Sequence, residues 1–259
     1  MLSPPSLTPR HALFLDFDGT LADIAPLPDA VQLAPGLLQD LRALHQALNG
    51  ALAIVTGRTL ADIDHFLKPL DLPLACEHGA HWRLSSAGSA TAPSLDLGPV
   101  LRALAELTAR HPELLIERKS AGVALHYRQA PHLQQACHEA LTQAVAQVAG
   151  AELMAGKCVY EVKPAGASKG QAITRFLQQP PFAGRMPLFF GDDVTDEAGF
   201  AAVQAAGGVG VKVGSGDSAA RARMASPASV RAWLHQAARQ LTGASAPAKD
   251  FVTAPQTAA

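Results

Sequence analysis

Very little in this 259-residue sequence is cysteine or aromatic, and nothing in it is strongly charged. The three cysteines, Cys76, Cys137 and Cys158, are odd in number and unevenly spaced. That pattern argues against a disulfide framework or a structural zinc site and suits a reducing, cytoplasmic setting. Aromatic residues make up 5% of the chain and the net charge is −1. Both values argue against a nucleic-acid partner, which needs a basic surface and stacking platforms. No apolar run approaches the roughly 18 residues of a membrane span, so no membrane association is expected. Met1 to Pro9 holds three prolines and lacks the basic–apolar–small pattern of a secretory signal.

What is present is a good supply of core. The apolar fraction is 48% against 17% charged, enough for one large domain or two small ones. Ala12 to Leu15 is a short apolar run that reads as a buried strand. Pro35 and Gly36 precede leucines at 37, 38, 41, 44 and 48, an amphipathic helical spacing. Ala51 to Val55 predicts the next strand, and Thr59 with Asp62 predicts a capped helix after it. The same alternation returns after Ser168: a helix, a strand over Pro187–Phe190, a helix over Glu197–Ala205 and a strand over Gly208–Val213. Strands alternating with helices through short connections predict a parallel α/β sheet.

The stretch from 97 to 166 has a different rhythm. It reads as helix, two strands, helix, and two short strands around Lys157–Lys163, a small α+β unit set into the parallel one. Residues 1–96 and 167–244 then form the core, and 245–259, rich in Ala, Pro and Thr, are expected to be a disordered tail. Side chains alternate across a strand. Glu117 with Lys119, His126 with Arg128, and Lys157 with Glu161 and Lys163 would therefore line one charged face. Val123, Leu125, Tyr127, Tyr160 and Val162 would line the opposite, apolar face. A charged sheet face can be merely solvated, or it can meet a polar ligand.

Chemistry-bearing residues gather at strand ends, where open parallel sheets bind ligands. Asp16-Phe17-Asp18-Gly19-Thr20 follows the first strand, and two carboxylates two residues apart can share a hard cation. A calcium loop is excluded because Leu21 stands where that motif needs glycine. Asp192, Asp193, Asp196 and Glu197 put four acids in six residues, which repel one another unless a cation compensates. Thr56-Gly57-Arg58 offers a hydroxyl and backbone N–H groups to an anion, and Lys169 stands at a helix start. Gly150 to Lys157 is not a P-loop, since it has one residue too many and Cys158 replaces Ser or Thr.

In this order the four pieces resemble the haloacid dehalogenase superfamily of phosphatases: Asp-x-Asp-Gly-Thr, then Thr, then Lys, then Gly-Asp-Asp with a later Asp. Within the insert, Glu117-x-Lys119, Leu125 to Pro131, Gly156-Lys157-x₃-Glu161 and Lys163 to Gly170 resemble the bacterial trehalose-6-phosphate phosphatases, as does Glu77-His78-Gly79-Ala80. The likeness runs from about His11 to Leu241. It implies a Rossmann-like core with an inserted cap, magnesium as cofactor and trehalose 6-phosphate as substrate. It implies Asp16 as nucleophile and Asp18 as acid and base, with Thr56 and Lys169 holding the phosphoryl group. The metal would be held by Asp16, the Asp18 carbonyl and Asp192, supported by Asp193 or Asp196. Arg58, His78, Glu117, Lys119, Arg128, Lys157 and Glu161 would contact the substrate. The chain is expected to be a monomer. Phosphatases of other sugar phosphates, a phosphomutase and a non-catalytic sugar-phosphate sensor are the rival readings.

Overall fold

The structure is a computed structural model that describes residues 2–25, 30–85, 88–91 and 95–243. The expected disordered tail, 245–259, lies outside the described residues. The larger part is an eight-stranded sheet. Its centre is β1 (His11–Leu15), flanked by β10 (Met186–Gly191) and β2 (Leu52–Val55). Outward from β10 come β11 (Val209–Val213) and β12 (Ala222–Met224); outward from β2 comes β3 (Leu74–Cys76), and all of these strands run parallel. Two antiparallel strands, β4 (His81–Ser85) and β5 (Gly88–Thr91), finish that side.

The central strands are apolar apart from His11 because helices cover both faces of a parallel sheet. Every residue of β1 and β2 is buried. The covering helices are α1 (Leu37–Ala47), α2 (Leu60–Leu67), α5 (Lys169–Leu177), α6 (Glu197–Ala205) and α7 (Pro227–Thr242). Capping follows the sequence signals. Thr59 accepts from Asp62 N–H, and Ser168 accepts from Gln171 N–H at the start of α5. A cluster of phenylalanines packs beneath the sheet, with the rings of Phe14 and Phe182 5.3 Å apart.

A second, four-stranded antiparallel sheet has the order β6 (Leu115–Arg118), β7 (Val123–His126), β9 (Val159–Pro164), β8 (Ala151–Gly156). Helices α3 (Gly98–Arg110) and α4 (Gln134–Val145) cover one face of it. Val100, Leu104, Leu125, Leu141, Tyr160 and Val162 form a separate hydrophobic core there.

The other face differs from its sequence reading in two ways. Arg128 and Lys157 are not on strands: each sits in a turn, and both are exposed. Lys157-Cys158 is the two-residue turn between β8 and β9, with Cys158 at φ 61°. The face is also less uniformly charged. The register aligns Glu117, Ala124, Glu161 and Met154 across the four strands, and the exposed Leu115 shares that face.

Candidate active site

The centre of the larger sheet is where the topology switches: from β1 the chain proceeds to β2 and β3 on one side, and it later returns to β10, β11 and β12 on the other. Ligand crevices in open α/β sheets form at such a point. Asp16 leaves β1 and Asp192 leaves β10 side by side, because Asp16 N–H donates to Phe190 O at 2.9 Å. Gly19, at φ 72°, makes the approach possible, since a Cβ there would lie 2.2 Å from an Asp192 carboxylate oxygen.

Lys169, the first residue of α5, threads into this corner and is 3% exposed. Its ammonium donates at 2.6 Å to Asp16 Oδ1 and at 2.6 Å to Asp196 Oδ1. Asp196 is fully buried, and its other oxygen accepts from the N–H groups of Asp192 and Asp193, each at 2.9 Å. One carboxylate thus folds the acidic loop and holds the lysine. The Asp193 side chain turns outward to accept from Val194 N–H.

Asp16, Asp192 and Asp196 bring one oxygen each within 4.8 Å of one another. That is a donor set for a hard divalent cation, and Asp193 is outside it. Electrostatics points the same way. Burial, and then the neighbouring acids, hold the Asp16 carboxyl well above the usual range, against the pull of Lys169. Burial, and then Asp196, push Asp192 up to about 6. Asp16 and Asp192 are therefore short of positive charge.

Thr56, at the end of β2, is buried with its hydroxyl accepting from Arg58 N–H at 3.2 Å. Arg58 clamps Asp18 with two bonds, Nε to Oδ2 at 2.7 Å and Nη2 to Oδ1 at 2.8 Å. The guanidinium lies over the Phe66 and Phe17 rings, 5.0 and 5.4 Å from their centroids.

The second sheet leans on this corner. Lys119 donates to Glu161 Oε2 at 2.6 Å and to Gly57 O at 3.2 Å. His78 Nε2 lies 3.5 Å from the same Glu161 oxygen. Two partners hold Glu161 down at about 2 despite its burial, which opposes them. Burial lowers the His78 pKa. Farther out, Glu117 accepts from His126 at 2.8 Å, and Arg128 reaches Lys157 O at 3.4 Å. Of the residues singled out from the sequence, Asp16, Lys169, Asp192 and Asp196 converge. Asp18, Thr56, Arg58, His78, Lys119 and Glu161 ring them, and Glu117, Arg128 and Lys157 stand on the rim.

The trehalose-phosphatase family model matches residues 14–232. The chain belongs to that family. It is 42% identical over 235 residues to "Trehalose-6-phosphate phosphatase" of Escherichia coli (strain K12), covering 89% of this chain and 87% of the relative. It is 44% identical over 206 residues to "Probable trehalose-phosphate phosphatase" of Sinorhizobium fredii, covering 78% and 77%. Among solved structures it resembles the C. albicans trehalose-6-phosphate phosphatase C-terminal domain with a TM-score of 0.78 and 27% identity, covering 89% and 92%.

This phosphatase carries contacts that sequence reasoning missed. Lys212 donates to the backbone carbonyl of Asp192, so a second buried ammonium supports the acidic loop. The signal lies in the register of β10 and β11, which pairs Gly191 with Lys212. The Asp18–Arg58 pair spans 40 residues and needs the relative placement of β1 and β2. Among the described residues, no helix of the phosphatase is long and apolar enough to cross a membrane.

The elevated Asp192 gives a pH prediction. Its folded pKa exceeds its ordinary value, so between about pH 4 and 6 the folded protein keeps a proton that the unfolded chain has lost. Stability from this group is present at low pH and is lost as pH rises through 6. The metal-free protein is expected to melt at a lower temperature at pH 7 than at pH 5. Mg²⁺ at one fixed concentration, a hundred times its Kd at pH 7, is worth about 2.7 kcal/mol there and is expected to raise the midpoint less at pH 5. Asp192→Asn should flatten both trends in calorimetry. Equal Mg²⁺ stabilisation at the two pH values would place the ion elsewhere.

Proposed function

We propose that this chain hydrolyses trehalose 6-phosphate to trehalose and inorganic phosphate by way of an aspartyl-phosphate on Asp16. The observation that carries the reading is Asp16 itself: a buried carboxylate at the switch point, gripped by Lys169 and roofed by a sheet whose groups can bind hydroxyls. The sugar-specific part is supported by family membership and by the two relatives named above.

In the first step an Asp16 oxygen attacks phosphorus, and the bond from phosphorus to the sugar oxygen breaks. Asp18 gives the leaving oxygen a proton. In the second step Asp18 takes a proton from water, the water oxygen attacks phosphorus, and phosphate departs with Asp16 restored. Both Asp18 oxygens accept from Arg58, which fixes the orientation of the carboxyl group. Thr56 and Lys169 hold the phosphoryl oxygens through both steps. Asp16, the Asp18 carbonyl and Asp192, with Asp196 in support, would hold Mg²⁺, which would supply neutralising charge at the phosphoryl group.

Residues 97–166 act as a cap. Glu117, Arg128 and Lys157 on its rim, with Lys119 and Glu161 beneath, read the sugar hydroxyls, and His78 backs Glu161. The test is phosphate release from a panel of sugar phosphates with Mg²⁺ and with EDTA. Trehalose 6-phosphate should lead, and EDTA should stop the reaction. Glu117→Ala and Arg128→Ala should cut kcat/KM for it by roughly 10- to 1000-fold, at about 1.4 kcal/mol per tenfold. Hydrolysis of p-nitrophenyl phosphate, which has no sugar, should fall far less. Equal losses on both esters would reduce the cap face to a folding role. Preference for another sugar phosphate would overturn the substrate.

A further inference from the structure

Glu77 has no part in the steps above, yet it is 2% exposed. It follows β3 with φ 48°, and His78 follows it with φ 55°. Two successive side-chain-bearing residues in the left-handed region are a strained arrangement that the surroundings must enforce. The enforcement is visible. Glu77 N–H donates to Arg58 O and His78 N–H to Thr56 O, both at 3.0 Å. The dipeptide is therefore pinned to the loop that carries Thr56 and Arg58.

From that footing both side chains reach the second sheet. Glu77 Oε1 accepts from the Ser120 hydroxyl at 2.5 Å and from Ser120 N–H at 3.2 Å, and Oε2 accepts from Ala121 N–H at 3.0 Å. Ser120 and Ala121 form the turn between β6 and β7, closed by Lys119 N–H to Gly122 O at 3.1 Å. Successive N–H groups in a turn make a concavity for an anion, and here the anion is a carboxylate from the other sheet. His78 packs on Gly57, where a Cβ would meet the ring at 2.6 Å, and faces Glu161.

The turn so held begins with Lys119, and Lys119 holds Glu161. Nothing in the phosphoryl chemistry needs Glu77, but the placement of Lys119 and Glu161 against Gly57 depends on where that turn sits. We propose that Glu77 is a positioning residue: its carboxylate anchors the 119–122 turn to the core and so fixes Lys119 and Glu161 for the sugar. The inference rests on the reading that those two groups bind the sugar of trehalose 6-phosphate.

Two variants and two readouts test it. Glu77→Ala removes all three bonds; Ser120→Ala removes only the hydroxyl and keeps the fold should the first variant unfold. In amide hydrogen exchange, Glu77→Ala should speed exchange at Ser120 and Ala121 and leave β1 and β10 protected. Its kcat/KM for trehalose 6-phosphate should fall roughly 10- to 100-fold, mainly through KM, and at least tenfold more than for p-nitrophenyl phosphate. Ser120→Ala should show the same pattern at smaller size, and Glu77→Gln should recover part of the loss. Unchanged exchange at the turn, or equal losses on the two esters, overturns the proposal. Wild-type protein that cleaves p-nitrophenyl phosphate but not trehalose 6-phosphate sinks the substrate reading instead, and the exchange result still decides the anchor.

Discussion

Asp16→Asn is expected to lower kcat on every phosphate monoester by roughly 10⁴-fold or more, the scale of removing a nucleophile. The amide nearly matches the carboxylate in shape and can still accept from Lys169, but it does not form the acyl phosphate. The same change removes one of three carboxylates crowded within 4.8 Å. Burial and its acidic neighbours already oppose the charge on Asp16. The metal-free variant should therefore melt no lower than wild type. Loss of turnover together with unchanged or raised stability separates a chemical defect from a folding defect. Rates within tenfold of wild type, with Mg²⁺ in excess, would remove Asp16 from the covalent role.

That corner was legible in the sequence because parallel sheets put their chemistry at strand ends. Asp16, Thr56 and Asp192 each follow a short apolar run, and Lys169 follows a serine that caps a helix. A reader who recognises strands finds all four without knowing the strand order. The contacts that were not legible depend on order, register or turns. Asp196 outranks Asp193 in the acidic group only because the 193–196 turn points one inward and the other to Val194 N–H. Lys157 and Arg128 look like strand residues by alternation. The turn at Lys157-Cys158, with Cys158 left-handed, breaks the count. The β4–β5 pair carries no long apolar run to announce it, and the described side chains of β4 are all half-buried. Glu77 reads as part of a motif, and its grip on Ser120 appears only when the two sheets are brought together.

Lys169→Met is the second change with a large expected effect, and it differs from the first in kind. Met fills the channel of the lysine stem but leaves Asp16 and Asp196 without their shared cation. Breaking a buried charge pair on one side costs about 3–5 kcal/mol. Both acids lose a bond of 2.6 Å at once. The phosphoryl group also loses its ammonium, so kcat/KM should drop by roughly 10²- to 10⁴-fold. The loss should be equal for trehalose 6-phosphate and p-nitrophenyl phosphate, because Lys169 touches phosphate chemistry and not the sugar. The stability loss has a pH signature. Without the ammonium, the carboxyl groups of Asp16 and Asp192 rise further above their ordinary values, so the folded variant binds more protons than its unfolded chain. Its deficit against wild type should shrink at pH 5 and grow at pH 8. Lysine itself does not produce that trend, because its own folded pKa is raised and its charge stays in place throughout this window. Denaturant melts of both proteins at the two pH values read the difference. A deficit of the same size at pH 5 and pH 8 would mean that Lys169 acts by packing alone.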